Sequence, residues 1–154
     1  MLVAPGDLDD PRVVDLLRTH LSSARAETAP GSAHALDTSG LRSSDIRFWA
    51  IWDAGALLAI GALRHLSPDH GEVKSMHTAQ SARRRGAGSA MLRHIIASAR
   101  KDGMSRLSLE TGSWEYFRPA RALYARHGFV ECPPFGAYAP DQNSVFMTLD
   151  LRGS

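Results

Sequence analysis

A short strand, three consecutive arginines, two glycines and an amphipathic helix follow one another between residues 72 and 103, and no other part of the chain restricts the fold as much. Residues 72–78 alternate as a strand, placing Glu72, Lys74, Met76 and Thr78 on one face and Val73, Ser75 and His77 on the other. From residue 86 to 102, Met91, Leu92, Ile95, Ile96 and Ala99 return on one helical stripe, and Gly103 stands where a C-terminal stop belongs. A helix opened by Gly86 and Gly88 leaves its first N–H groups unpaired and unobstructed, which makes the junction a seat for a pyrophosphate.

The rest of the chain builds around that junction. Asp10 and Pro11, followed by apolar residues at helical spacing, predict a helix over 11–26. Residues 28–45 read as a long polar loop with a short helical turn near 36–41. Two apolar, β-branched runs at 46–52 and 56–66, separated by Asp53, Ala54 and Gly55, predict a hairpin, and 72–78 continues it as a third strand. A strand at 107–110, a loop at 111–117, a helix at 119–127 and closing strands at 129–132 and 145–151 complete the order. This is one α/β layered domain, residues 1–154, around a mixed sheet.

Composition narrows the surroundings. The single cysteine, Cys132, excludes an intrachain disulfide and suits a reducing, cytoplasmic setting. Residues 1–7 have neither the basic start nor the apolar core of a signal peptide, and no run approaches the ~18 apolar residues of a membrane span. The seven histidines are scattered without ligand spacing, so no metal is expected. A net charge of +2 selects no partner. The arginine run alone would suit nucleic acid, but its place before glycines and a helix points to a phosphate seat, and no nucleic-acid partner is expected. No Gly-Lys-Ser/Thr triplet is present for a P-loop, and Met91 stands where a dinucleotide fingerprint needs glycine or alanine.

Arg83-x-x-Gly86-x-Gly88 resembles the Gln/Arg-x-x-Gly-x-Gly/Ala motif of the GNAT acetyltransferase superfamily, and Leu123-Tyr124 through Gly128-Phe129 resembles that family's Leu-Tyr-x-x-x-Gly-Phe ending. The similarity covers about residues 46–150 and is strongest over 72–130, and the closing stretch resembles a bacterial N-acetyltransferase subgroup. The resemblance implies a GNAT-like layered domain whose mixed central sheet is flanked by helices. It implies acetyl-CoA as cosubstrate, its pyrophosphate held by backbone amides of Arg84, Arg85, Gly86, Ala87, Gly88 and Ser89, with Arg83 at the rim. It implies that Met76, His77 and Thr78 border the pantetheine arm, that the N–H near Met76 faces the thioester carbonyl, and that Tyr124 protonates the leaving thiolate. Glu72 is the expected general base, because an attacking ammonium must first lose a proton. Many family members have an asparagine where this chain has Phe117. The expected reaction is acetyl transfer to a primary amine by direct attack in a ternary complex. The alternative is a non-catalytic CoA-binding or regulatory module on the same fold. A small-molecule amine or a protein N-terminus is the expected acceptor, and a homodimer through the closing strands is compatible with the family. His34 and Asp37 are candidate acceptor contacts, and Trp114, Tyr116, Phe135 and Tyr138 a candidate aromatic lining.

Overall fold

The computed structural model describes residues 1–152. In chain order its elements are β1 (Leu2–Pro5), α1 (Pro11–Ala26), α2 (Thr38–Leu41), β2 (Ile46–Asp53), β3 (Ala56–Ser67), β4 (His70–Thr78), α3 (Ala87–Lys101), β5 (Arg106–Gly112), α4 (Arg118–Arg126), β6 (Val130–Glu131) and β7 (Ser144–Asp150). The helix starts follow from local chemistry. The Asp10 side chain accepts from Arg12 N at 2.9 Å, and Pro11 occupies the first turn, where it loses no helical bond. At the other end of α3, Gly103 takes φ +82° and stops the helix as expected.

The seven strands form one sheet in the order β1-β2-β3-β4-β5-β7-β6, and every neighbouring pair is antiparallel except β4–β5. α3 connects those two parallel strands. One face of the sheet packs Leu63, Val73, Leu107 and Leu109 against Met91, Leu92 and Ile95 of α3 and Tyr124 of α4. The other packs Phe48, Ala50, Ile60 and Ala62 against Val13 and Leu17 of α1 and Leu41 of α2. A mixed sheet with helices on both faces is the architecture expected from the sequence. Among the described residues, no helix is long and apolar enough to cross a membrane.

The structure departs from the expected elements in two places. β1 was not expected, because four residues ending in a proline carry almost no strand signal; it is an edge strand held by pairing of Leu2–Pro5 with β2. The second departure concerns β4. Its register to β3 passes from Ile60↔His77 to Ala62↔Lys74, so Ser75 and Met76 stand opposite Gly61 alone, and Ser75 takes φ +55°. This bulge inserts one residue and reverses the alternation. Met76 joins the α3 side, where Val73 also lies, while Glu72 and Lys74 face the opposite side with His77. The expectation that Glu72 and Met76 share a face is therefore corrected: a period-2 pattern cannot register an inserted residue.

Gly61 makes the bulge possible, since a Cβ there would lie 2.6 Å from Met91 Cγ and 3.1 Å from Met76 Sδ. Gly61→Val should lower stability by about 1–3 kcal/mol through overpacking, read as a lower thermal unfolding midpoint. An unchanged midpoint would show that the two methionines yield without cost.

Candidate active site

The parallel strands β4 and β5 pair only at His70↔Arg106, Gly71↔Leu107 and Glu72↔Ser108. Beyond these positions β4 runs on to Thr78 and β5 to Gly112 without each other as partners, and two cavities open in the gap.

The larger is a groove of about 680 Å³. Of the residues the sequence assigned to the donor, Met76, His77, Thr78, Arg83, Arg84, Gly86, Ala87, Gly88 and Ser89 line it. Gly86 is the N-cap of α3 with φ +81° and offers no side chain to cap it, so the first-turn N–H groups have no helical acceptor. At Gly88 a Cβ would come within 3.3 Å of Leu123 Cδ2 and Thr78 Oγ1, a tight fit that a larger side chain could enter only by displacing one of them. An uncapped helix start beside two exposed arginines fits a pyrophosphate. Arg85 points elsewhere: its guanidinium pairs with Asp53 at 2.6 Å and ties the basic turn to the β2–β3 hairpin.

The smaller cavity is about 110 Å³ and adjoins the groove, and both are lined by His20, Met76, Phe117 and Tyr124. Tyr124 is 7% exposed, and burial, with the nearby Glu110 carboxylate, holds its phenol well above the usual value. It stays protonated at neutral pH and is a hydrogen-bond donor at the junction of the two spaces. The Phe117 ring lies over Gly112, where a Cβ would meet it at 2.1 Å, so an aromatic ring fills the position where many family members have an asparagine.

Glu72 does not reach either cavity. It is 2% exposed, accepts a 2.5 Å hydrogen bond from Tyr138 Oη, and lies 3.5 Å from Lys74 Nζ. The carboxylate on the smaller cavity wall is Glu110 of β5, whose pKa is raised chiefly by burial. Sequence reading missed Glu110 because its strand signal is apolar and nothing local marks its side chain as facing a cavity. Lys74 is also on this wall, donating to His34 O at 2.9 Å and Tyr138 Oη at 3.0 Å. His34 lines the cavity, whereas Asp37 caps α2 through Gly40 N at 2.8 Å. The four candidate aromatics do not form one pocket. Tyr116 lines the groove, Trp114 bonds Asn143, and Phe135 and Tyr138 pack together with Phe146.

A family model described as the Acetyltransferase (GNAT) family matches residues 13–129. The chain is 48% identical over 145 residues to the uncharacterized N-acetyltransferase YsnE of Bacillus subtilis (strain 168), spanning 94% of this chain and 96% of that protein. A solved structure from Klebsiella pneumoniae subsp. pneumoniae MGH 78578, assigned as an acyl-CoA N-acyltransferase, matches with a TM-score of 0.81 at 27% identity over 97% of each chain. A GNAT family acetyltransferase from Elizabethkingia anophelis with acetyl-CoA bound has the same fold, with a TM-score of 0.70 at 15% identity over 97% of each chain. A mixed sheet split at its parallel pair, with a glycine-opened helix at the split, is an acyltransferase fold. This chain belongs to the GNAT acetyltransferase family.

One further contact has a consequence for stability. His20 Nδ1 and His77 Nδ1 are 3.1 Å apart, so one ring donates and the other, which must be neutral, accepts. Burial, then the charges of His77 and Lys74, push His20 down to about 3 from 6.5, and His77 is lowered by burial and Arg83. The unfolded chain takes up protons below pH about 6.5 that the native pair resists, so stability is complete above that pH and declines from there towards pH 3. His20→Asn should flatten that decline in urea unfolding followed between pH 7 and 5. Parallel pH dependences for variant and wild type would remove His20 as its source.

Proposed function

We propose that the chain transfers an acetyl group from acetyl-CoA to a primary amine by direct attack in a ternary complex, in the gap between β4 and β5. The observation that carries this reading is the adjacency of the two cavities across Tyr124: a groove ending at an uncapped helix start, and a small chamber with a carboxyl group on its wall. The uncapped first turn of α3, with Arg83 and Arg84, binds the pyrophosphate of acetyl-CoA; Arg85 serves the hairpin instead. Acetyl-CoA supplies the acetyl group as a thioester. Met76 stands at the bulge beside both cavities, where its N–H can stabilise negative charge growing on a carbonyl oxygen.

The amine must be neutral to attack, so a carboxylate has to take its proton. Glu110 does this directly, since burial raises its pKa and makes it a stronger base than an exposed carboxylate. Glu72, the carboxylate expected from sequence, takes part by holding Lys74 and Tyr138 in place, and would act as base only through Tyr138. Tyr124 donates its hydrogen bond to the departing thiolate as the C–S bond breaks. Its raised pKa favours stabilising that charge over losing the proton outright.

Calorimetric titration should show saturable acetyl-CoA binding that Gly88→Glu weakens by at least about 100-fold, because a carboxylate then enters the anion seat. Equal affinity in a folded variant would displace the site from α3. Tyr124→Phe and Glu110→Gln should keep donor affinity while lowering kcat by about 10²-fold or more, the second also removing the acid limb of the pH–rate profile. If Glu72→Gln removes that limb instead, Glu72 is the base. Donor binding without thiol release for any amine would favour a non-catalytic CoA-binding module.

A further inference from the structure

The smaller cavity has a lysine and a glutamate on its wall and, among the described residues, hydroxyls without a hydrogen-bond partner. Lys74 and Glu110 are on the same wall system, contributed by the two strands that part, β4 and β5. Lys74 is 8% exposed and is held by His34 O, Tyr138 Oη and Glu72, the last of which lies off the wall. Thr28 and Ser75 also line the cavity. Each is 7% exposed, and neither Thr28 Oγ1 nor Ser75 Oγ has a hydrogen-bond partner among the described residues. Buried hydroxyls are nearly always bonded, so two idle ones on one cavity wall mark groups that a ligand completes. The roof that carries Thr28 is fastened down: Ser32 Oγ donates to Asp141 Oδ2 at 2.6 Å, and the His34 ring packs edge-on against Tyr138.

An ammonium and two hydroxyls can all donate to one carboxylate, while Glu110 accepts from an amine. A volume of about 110 Å³ is small and holds a compact molecule carrying both groups. We propose that the acceptor is a free amino acid, its α-carboxylate bound by Lys74, Thr28 and Ser75 and its amino group placed beside Glu110 at the Tyr124 junction. This rests on reading the gap as an acetyl-transfer site, and it excludes a protein N-terminus, whose first residue has an amide in place of that carboxylate. In the transfer, the ammonium gives one proton to Glu110, the neutral nitrogen bonds to the acetyl carbon as the C–S bond breaks, and the second proton that the nitrogen sheds passes to the thiolate held by Tyr124.

The test compares the common free amino acids, their C-terminal amides and the amines lacking the carboxyl group. Binding to the CoA-loaded protein is read by calorimetry, and turnover by thiol release from acetyl-CoA. At least one acid should exceed its amide and its decarboxylated amine by 100-fold or more in affinity or in kcat/KM. Lys74→Met should collapse that ratio. Because Lys74 is part of a buried pair, Thr28→Val and Ser75→Ala serve as milder variants: neither loses a protein hydrogen bond, and each should raise KM for the acid about tenfold with acetyl-CoA affinity unchanged. Amides or plain amines matching the acids, ratios untouched by all three variants, or no acid binding at all would each overturn the proposal. Loss of acetyl-CoA binding would instead overturn the acetyl-transfer reading, and acid-over-amide binding without turnover would separate the two.

Discussion

β4 and β5 run side by side for three residue pairs and then separate, and most of what is distinctive in this protein follows from that separation. Strands leaving a sheet interior expose backbone donors and acceptors that have to be satisfied by something else. Here Ser75, held in the left-handed region, turns β4 away, and the helix joining the two strands begins at the wide end of the opening. α4 closes the far side, with Leu123 near Gly88 and His127 Nε2 3.2 Å from Ser89 Oγ. The gap is thus held open by packing on both flanks, and the sheet contributes backbone polarity to a site without losing its core.

Beneath the opening lies a buried polar group, Glu72, Lys74 and Tyr138, with Lys74 and Glu72 8% and 2% exposed. Removing charges from water is costly, and such a pair contributes little to stability compared with an apolar replacement. What it contributes here is position. Its bonds join β4 to the loop after α1 and to the segment before β7, linking residues 72 with 138 and 74 with 34. Breaking one partner would leave the other charged and buried, so the three act as a unit that fixes where the cavity roof and wall meet.

The parts of this architecture legible in the sequence are those set by short-range pattern. α1 and α3 fall within a residue of their expected bounds because a proline start, an apolar stripe and a glycine stop act over one or two turns. The glycine-opened start of α3 was readable for the same reason, since Gly86 states its backbone need locally. Arg85 shows the limit: three identical neighbours differ only in what lies across from them, and Asp53 is 32 residues away. The Glu72–Met76 relation failed because the inserted residue at Ser75 leaves no local mark. Glu110, Lys74 and Tyr138 acquire their meaning only when strands distant in sequence are set beside one another, which no periodicity encodes.

The His20–His77 contact has a consequence beyond its effect on stability. A neutral imidazole that donates from Nδ1 has a bare Nε2, and one that accepts at Nδ1 carries its proton on Nε2. With the two Nδ1 atoms facing each other, the rings are locked into opposite tautomers. Moving the shared proton from one Nδ1 to the other obliges both outer nitrogens to exchange roles. Both residues border the groove, and one short contact between α1 and β4 gives the pair two alternative hydrogen-bonding states, a donor and an acceptor trading places with no change in net charge.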